Sequence, residues 1–240
     1  MDTTLETVKS KDSSLSERVA DQITRLIIEQ HLVSGDKLDN EFDLAEQLNV
    51  GRGSVREAVK ILVARNVLEI RRGKGTFIAS NPGEVPDPLG FAFYPDRVRL
   101  AMDLLEVRCQ MEPWVARMAA EKATKENLEE LQRTCAAVED DILNGRNHLE
   151  NDKIFHTSIA KCTQNMAVPK LLPIITYAVT LFGDLTENKL KTETIIGHRA
   201  ILDAICAGDG DAAAKAMEQH MEHNRVVLAE ILKKLPEQNN

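Results

Sequence analysis

The sequence lacks any apolar run approaching the roughly 20 residues that a bilayer-spanning helix needs. The stretch from Met1 to Ser16 is polar and holds no apolar core of the kind a secretory signal carries. These absences exclude a membrane protein and predict a cytoplasmic one. Cysteine is scarce: the four residues, Cys109, Cys135, Cys162 and Cys206, never stand at CxxC spacing, and each falls in a helical pattern. That excludes a disulfide framework or a cysteine-built zinc site and fits reduced thiols in a reducing compartment. Net positive charge is also missing. With 30 basic and 38 acidic residues the chain stands at −8, which excludes a protein that coats nucleic acid through its overall charge.

What is present fits two domains: 240 residues, 43% hydrophobic and 28% charged. Charge is unevenly spread. Between Val50 and Thr76 seven basic residues face two acidic ones, a local surplus of five on an acidic chain. Such a patch is the footprint of a DNA-reading module attached to a domain of another kind. The surrounding pattern supports it. Val19, Ile23, Leu26 and Ile27 recur at helical spacing after Ser14 and Ser16, either of which can cap a first helix. Ser34 to Lys37 reads as a turn, and Glu41 to Leu48 as a second helix with Phe42, Leu44, Ala45 and Leu48 inward. A third helix runs from Gly53 or Ser54 to about Arg65. The alternation of "VLEIRRGKGTFIAS" then predicts two strands around a tight turn. Helix, helix-turn-helix and hairpin in that order make a winged helix-turn-helix over residues 10–80.

The second helix of such a pair enters the major groove with its N-terminal residues. Arg52 stands at that end and Arg56 one turn on, each able to bind guanine bidentately or phosphate. Ser54 can meet a phosphate or cap the helix. Val55, Ala58, Val59 and Leu62 face the module's core. Arg72, Gly73 and Lys74 at the hairpin tip offer charge with little bulk, which suits a narrow groove.

Residues 81–96 hold four of the eight prolines and read as a linker. Beyond them lie only helical patterns, roughly 97–121, 124–144, 150–162, 167–189, 193–207 and 210–234, so 97–235 is expected to be an all-α six-helix antiparallel bundle. Pro169 and Pro173 mark the start of the fourth helix and a kink within it, and Gly208 and Gly210 end the fifth. Asp152 and His156 stand four apart on a face that borders Phe155 and Ile159. His198 lies near Ile201, Leu202 and Ile205, and His220 near Met217 and Ala213, whereas His31, His148 and His223 show no such placement. Three imidazoles and a carboxylate on the apolar sides of three helices match a divalent cation: zinc first, then nickel or manganese. Each histidine taken singly also fits a satisfied core residue. Arg108 falls inside the apolar stripe of Leu104, Leu105, Met111, Val115 and Met118. A guanidinium there needs an anion, either Glu112 or another buried acid, or the carboxylate of a small ligand.

The stretch "LDNEFDLAEQLNVGRGSVREAVKILVARNVLEIRRGKGTFIA" resembles the winged-helix domain of the GntR family of bacterial transcription regulators. By that resemblance Arg52 and Arg56 read the major groove, and Arg72 and Gly73 the minor groove. The family's arginine before the second helix is replaced here by Phe42, expected in core or dimer packing. The segments "LLEVRCQMEPWVARMAAE", "NDKIFHTSIAKCTQN" and "GHRAILDAICAGDGDAAAKAMEQHMEHN" resemble the FadR C-terminal domain, the helical effector domain of one GntR subfamily. Its metal-binding branch implies Asp152, His156, His198 and His220 as ligands, and the six-helix count resembles the branch with one helix fewer. Where that branch commonly has an acidic residue before the third ligand, this chain has Gly197.

The resulting expectation is a non-enzymatic, ligand-responsive regulator: a homodimer on a palindromic operator, probed by a small carboxylate that Arg108 and the metal grip, such as a sugar acid or hydroxy acid. The rivals are a metalloenzyme fused to a DNA-binding domain, and an acyl-chain sensor whose metal is structural.

Overall fold

The computed structural model describes residues 13–177 and 191–232. The chain divides into two compact units, Met1–Pro88 and Leu89–Asn240. The first opens with α1, Leu15–Glu29, whose start is fixed by a reciprocal cap: the Glu17 amide donates to Ser14 Oγ and the Ser14 amide to Glu17 Oε2. Val19, Ala20, Ile23 and Ile27 form its buried stripe. Helix α2, Glu41–Gln47, begins where the Asn40 side chain accepts from the amides of Phe42 and Asp43. Asn49, at φ +48°, turns the chain into α3, Arg52–Ala64, which buries Val55, Ala58, Val59 and Leu62 against α1 and α2.

Strands β1, Leu68–Arg71, and β2, Gly75–Ile78, pair antiparallel with Leu68 opposite Ile78 and Arg71 opposite Gly75. Between them Gly73 sits at φ +74°, a left-handed conformation that side chains disfavour. The segment expected only as a turn does more. Beyond Gly35 the backbone of Asp36–Leu38 hydrogen-bonds to Thr76 and Ile78, adding a short third edge to the wing. Phe42 corrects the expectation that it packs inward. It is 62% exposed, while Leu44 and Ala45 of α2 take the core. Ser54 is not the cap of α3 either: the capping position is Gly51, which offers no side-chain acceptor.

In the second unit six α-helices are present among the described residues. They are α4, Arg97–Lys122; α5, Lys125–Leu143; α6, Leu149–Cys162; α7, Val168–Ile175; α8, Lys191–Cys206; and α9, Gly210–Leu232. Thr124 and Asn127 cap α5 reciprocally, and Gly208, at φ +71°, separates α8 from α9. Pro169 lies in the first turn of α7 and Pro173 inside it, as expected; the rest of the expected 167–189 helix lies, from 178 on, outside the described residues. Helix α4 packs on α6, α7, α8 and α9, so it is the central element of the bundle. Leu104, Leu105, Phe155, Ile159, Leu172, Ile201 and Met217 fill the interior around it. No helix among the described residues is long and apolar enough to cross a membrane.

Phe155 is fully buried, and its ring stacks on His198 at 4.3 Å between centroids. Phe155→Ala is expected to lower the stability of the helical unit by about 3–5 kcal/mol, measured by urea unfolding followed by circular dichroism.

Candidate metal centre and nucleic-acid interface

The exposed side of α3 and the wing tip carry the basic residues. Arg52, Arg72, Gly73 and Lys74 are exposed and Ser54 is half-buried. With no side-chain cap at Gly51, the amides of Arg52 and Gly53 in the first turn of α3 receive no side-chain acceptor from the cap, while the Ser54 amide donates to the Gly51 carbonyl. Arg56 is not a bare charge. Glu41 of α2 accepts from its Nε at 3.1 Å and its Nη2 at 2.9 Å, a pairing absent from the sequence reading. Both partners face solvent, so water screens the pair and it contributes little, and a phosphate can displace the carboxylate cheaply.

The helical unit treats charge differently. Asp152 and His156 project from α6, His198 from α8 and His220 from α9, and all four are buried. The rings of His198 and His220 are 4.8 Å apart between centroids, those of His156 and His198 5.4 Å, and those of His156 and His220 5.6 Å. One nitrogen from each of the three lies within 4.8 Å of the others, close enough to hold one metal ion. Asp152 Oδ1 stands 3.3 Å from His198 Nε2, and its Oδ2 stands 3.8 Å from His156 Nε2. Neither nitrogen of His198, nor Nε2 of His156, makes a well-formed hydrogen bond. Buried polar atoms left so are costly, and a cation among them removes the cost. The donor set of imidazoles and a carboxylate therefore fits a divalent metal.

Burial, then the neighbouring His220 and His156, push His198 well below the ordinary histidine range. Burial, with His156 and Arg108 adding to it, lowers His220 to about 3. Both imidazoles are thus neutral at pH 7 with lone pairs available, the state a metal ligand requires.

Arg108 has an anion within its own helix. Its Nε donates to Glu112 Oε1 one turn on, one of the two anions the sequence left open for it. Its Nη2 remains buried without a hydrogen-bond partner. Glu112, 1% exposed, places its other oxygen 2.5 Å from His156 Nδ1. That contact fixes the orientation of the His156 ring, with Nε2 on the side of Asp152, where a cation could join the two. Burial alone would raise the Glu112 carboxyl; Arg108 and His156 override it and hold the group well below the usual carboxylate range. Glu112 had entered the sequence reading only as one candidate partner for Arg108. Its link to His156 on another helix carries no sequence signal, although Arg-x-x-x-Glu within an apolar stripe marks the pair.

Gly197 also has a physical role. A Cβ at that position would lie 2.7 Å from His220 Nδ1, so the ring packs directly on the α8 backbone. His148, which showed no inward placement in the sequence, is buried as well.

Residues 15–78 match bacterial regulatory proteins of the gntR family, and residues 103–223 match the FCD domain. The HTH-type transcriptional regulator LutR of Bacillus subtilis (strain 168) is 31% identical, over 82% of this chain and 94% of its own. The galactonate operon transcriptional repressor of Escherichia coli (strain K12) is 28% identical, over 84% of this chain and 91% of its own. A solved structure, Streptococcus agalactiae GntR, superposes with a TM-score of 0.79 at 38% identity, covering 88% of this chain and 99% of its own. A winged helix-turn-helix followed by a helical bundle with a histidine-lined centre, matched along most of its length by such regulators, places the chain in the GntR family of bacterial transcriptional regulators, with an FCD domain as its helical unit.

Proposed function

We propose that this regulator senses a small hydroxycarboxylate at a metal centre in its helical unit, residues 97–235, and thereby alters operator binding by the winged unit, residues 10–80. The observation that carries the reading is the convergence of three buried imidazoles and the Asp152 carboxylate beside an Arg108 nitrogen with no hydrogen-bond partner. Asp152, His156, His198 and His220 hold a divalent cation, zinc by the preference of this donor set, with nickel or manganese as substitutes. When bound, the metal offers a Lewis-acidic position for a ligand oxygen. Glu112 orients His156, Gly197 lets His220 reach the centre, and Arg108 Nη2 donates to the ligand's carboxylate. A relative that represses a galactonate operon supports the sugar-acid class.

On DNA, Arg52 and Arg56 at the start of α3 meet base edges and phosphate in the major groove, Ser54 a phosphate, and Arg72, Gly73 and Lys74 of the wing the minor groove. The chain acts as a homodimer on a palindromic site. Ligand occupancy shifts DNA affinity by its differential binding to two states of the dimer.

The DNA reading is tested by fluorescence anisotropy on a duplex from upstream of the regulator's own gene. Arg52→Ala is expected to cost about 1–3 kcal/mol on the operator, and Lys74→Ala to weaken all duplexes and reduce the salt slope by about 1. An unmutated protein with no preference over random DNA at physiological salt would overturn it.

The metal reading predicts about one equivalent of divalent ion per chain by elemental analysis, with a chelator lowering the melting temperature and zinc restoring it. Chelator-treated protein is expected to lose stability as pH falls below 6.5, the ordinary histidine value. There the unfolded histidines take up protons that the buried His198 and His220 refuse, at about 1.4 kcal/mol per pH unit for each. Protein free of metal whose melting ignores both zinc and chelator would sink the proposal.

Gly197→Ala forces His220 to move. About 10–100-fold weaker zinc affinity is expected by competition with a colorimetric chelator, with the winged unit's DNA contacts intact.

A further inference from the structure

The wing has an outer face that the DNA contacts proposed so far leave unused. Its pairing puts Glu69 opposite Phe77 and Arg71 opposite Gly75, and Lys37 pairs with Phe77 from the third edge. Partners in register share a face of a sheet, as do residues two apart along a strand, so Lys37, Phe77, Gly75, Arg71 and Glu69 stand together. The opposite face carries Leu38, Leu68 and Ile78, all buried in the core of the unit. On the outer face the Arg71 guanidinium lies 4.3 Å over the Phe77 ring, and its Nε donates to Glu69 Oε1 at 2.7 Å.

Gly75 opens a slot beside that stack. A Cβ there would lie 2.8 Å from Lys37 Cε and 3.5 Å from its Nζ, so the lysine stem crosses the bare glycine backbone. The chain on either side of Lys37 is pinned to β2: the Leu38 amide donates to the Thr76 carbonyl, and the Ile78 amide to the Asp36 carbonyl. The acids nearest in sequence are engaged elsewhere, Asp36 by the Val33 amide and Asp39 by Gln47 Nε2, while Glu69 holds Arg71. Lys37 is exposed, and its ammonium is brought beside the first residue of β2, next in sequence to Lys74 of the tip. A stem laid along the backbone holds its charge in one place, which lowers the entropy lost when an anion binds.

Resting on the proposed entry of Arg72, Gly73 and Lys74 into the minor groove, we infer that Lys37 is a further DNA contact, gripping a backbone phosphate on the rim of that groove across the slot that Gly75 leaves. The minor groove is only about 6 Å wide and phosphates border it on both strands, so a wing whose tip is inside sets its faces against them. The partner is a phosphate and not a base edge, because Lys37 stands back from the tip, opposite Phe77. A compact ammonium on an aliphatic stem suits a phosphate oxygen as a point charge. The contact carries no sequence information; it fixes how deep the wing sits and how it is tilted.

The test is fluorescence anisotropy of the full chain across a salt series, on a duplex from upstream of the regulator's own gene and on random DNA of equal length. Lys37→Ala and Lys37→Met are expected to weaken both duplexes by the same factor, about 3–10-fold at about 0.1 M salt, and to reduce the salt slope by about 1. Lys37→Met keeps a stem over Gly75 and removes the charge, and Lys37→Arg is expected to keep the slope of the unmutated chain. An unchanged slope in Lys37→Met overturns the inference. If Lys74→Ala still lowers the slope in the same assay, the minor-groove reading stands without it; if neither variant does, both fall. A loss confined to the operator duplex, which would mean base reading, or to Lys37→Ala alone, which would mean packing, also overturns it.

Discussion

A carboxylate in the interior of a helical bundle is the constraint around which the second unit is organised. Glu112 faces a guanidinium through one oxygen and an imidazole through the other. Each of these groups would be expensive to bury alone, and together they offset one another. The arrangement ties α4 to α6 by charge as well as by apolar packing, since Arg108 and Glu112 stand one turn apart on α4 while Asp152 and His156 stand one turn apart on α6. Helix α4 touches four of the other helices, so a displacement at Glu112 reaches most of the bundle.

The two units handle charge in opposite ways. In the winged unit the arginines and the wing lysine lie at the surface, and the Arg56–Glu41 pair is exposed on both sides. Such charges exchange partners readily, as contact with a phosphate backbone demands. At the centre of the helical unit Arg108, Glu112 and Asp152 are enclosed, and exchange there requires a partner of matching sign to enter the core. Exposed charge of the first kind suits fast, salt-sensitive contact with DNA, and enclosed charge of the second kind suits, on the reading proposed above, selective binding of a small molecule. Membership of the GntR family joins the two in one chain.

Much of this was legible in advance. The helix periods located α1, α4, α5, α6, α8 and α9 within a few residues, because each buries a stripe at helical spacing and most are bounded by caps, glycine or proline. The Asp152–His156 pair was visible because i, i+4 spacing on an apolar face is a local property. The misreadings have a common cause. Phe42 was assigned inward from hydrophobicity alone, but α2 is only seven residues long and its neighbours fill the core with Leu44 and Ala45. Ser54 was offered as a phosphate contact or a helix cap, and the second is excluded because the chain enters α3 through Gly51. The Glu41 contact to Arg56 spans fifteen residues between two helices and leaves no trace in either one.

Sequence by itself determined which residues had to be inside and which elements would carry them, because burial and helix formation follow from side-chain type and spacing over a few turns. It also made plain that ionisable groups were being drawn into an apolar interior. Which of those groups meet was settled only by packing. Three helices bring imidazoles from positions 156, 198 and 220 to within a few ångströms, Gly197 clears the space that one ring occupies, and Glu112 becomes a bridge between two elements. Distances across helices depend on how whole surfaces interlock, and that information is spread over the entire core.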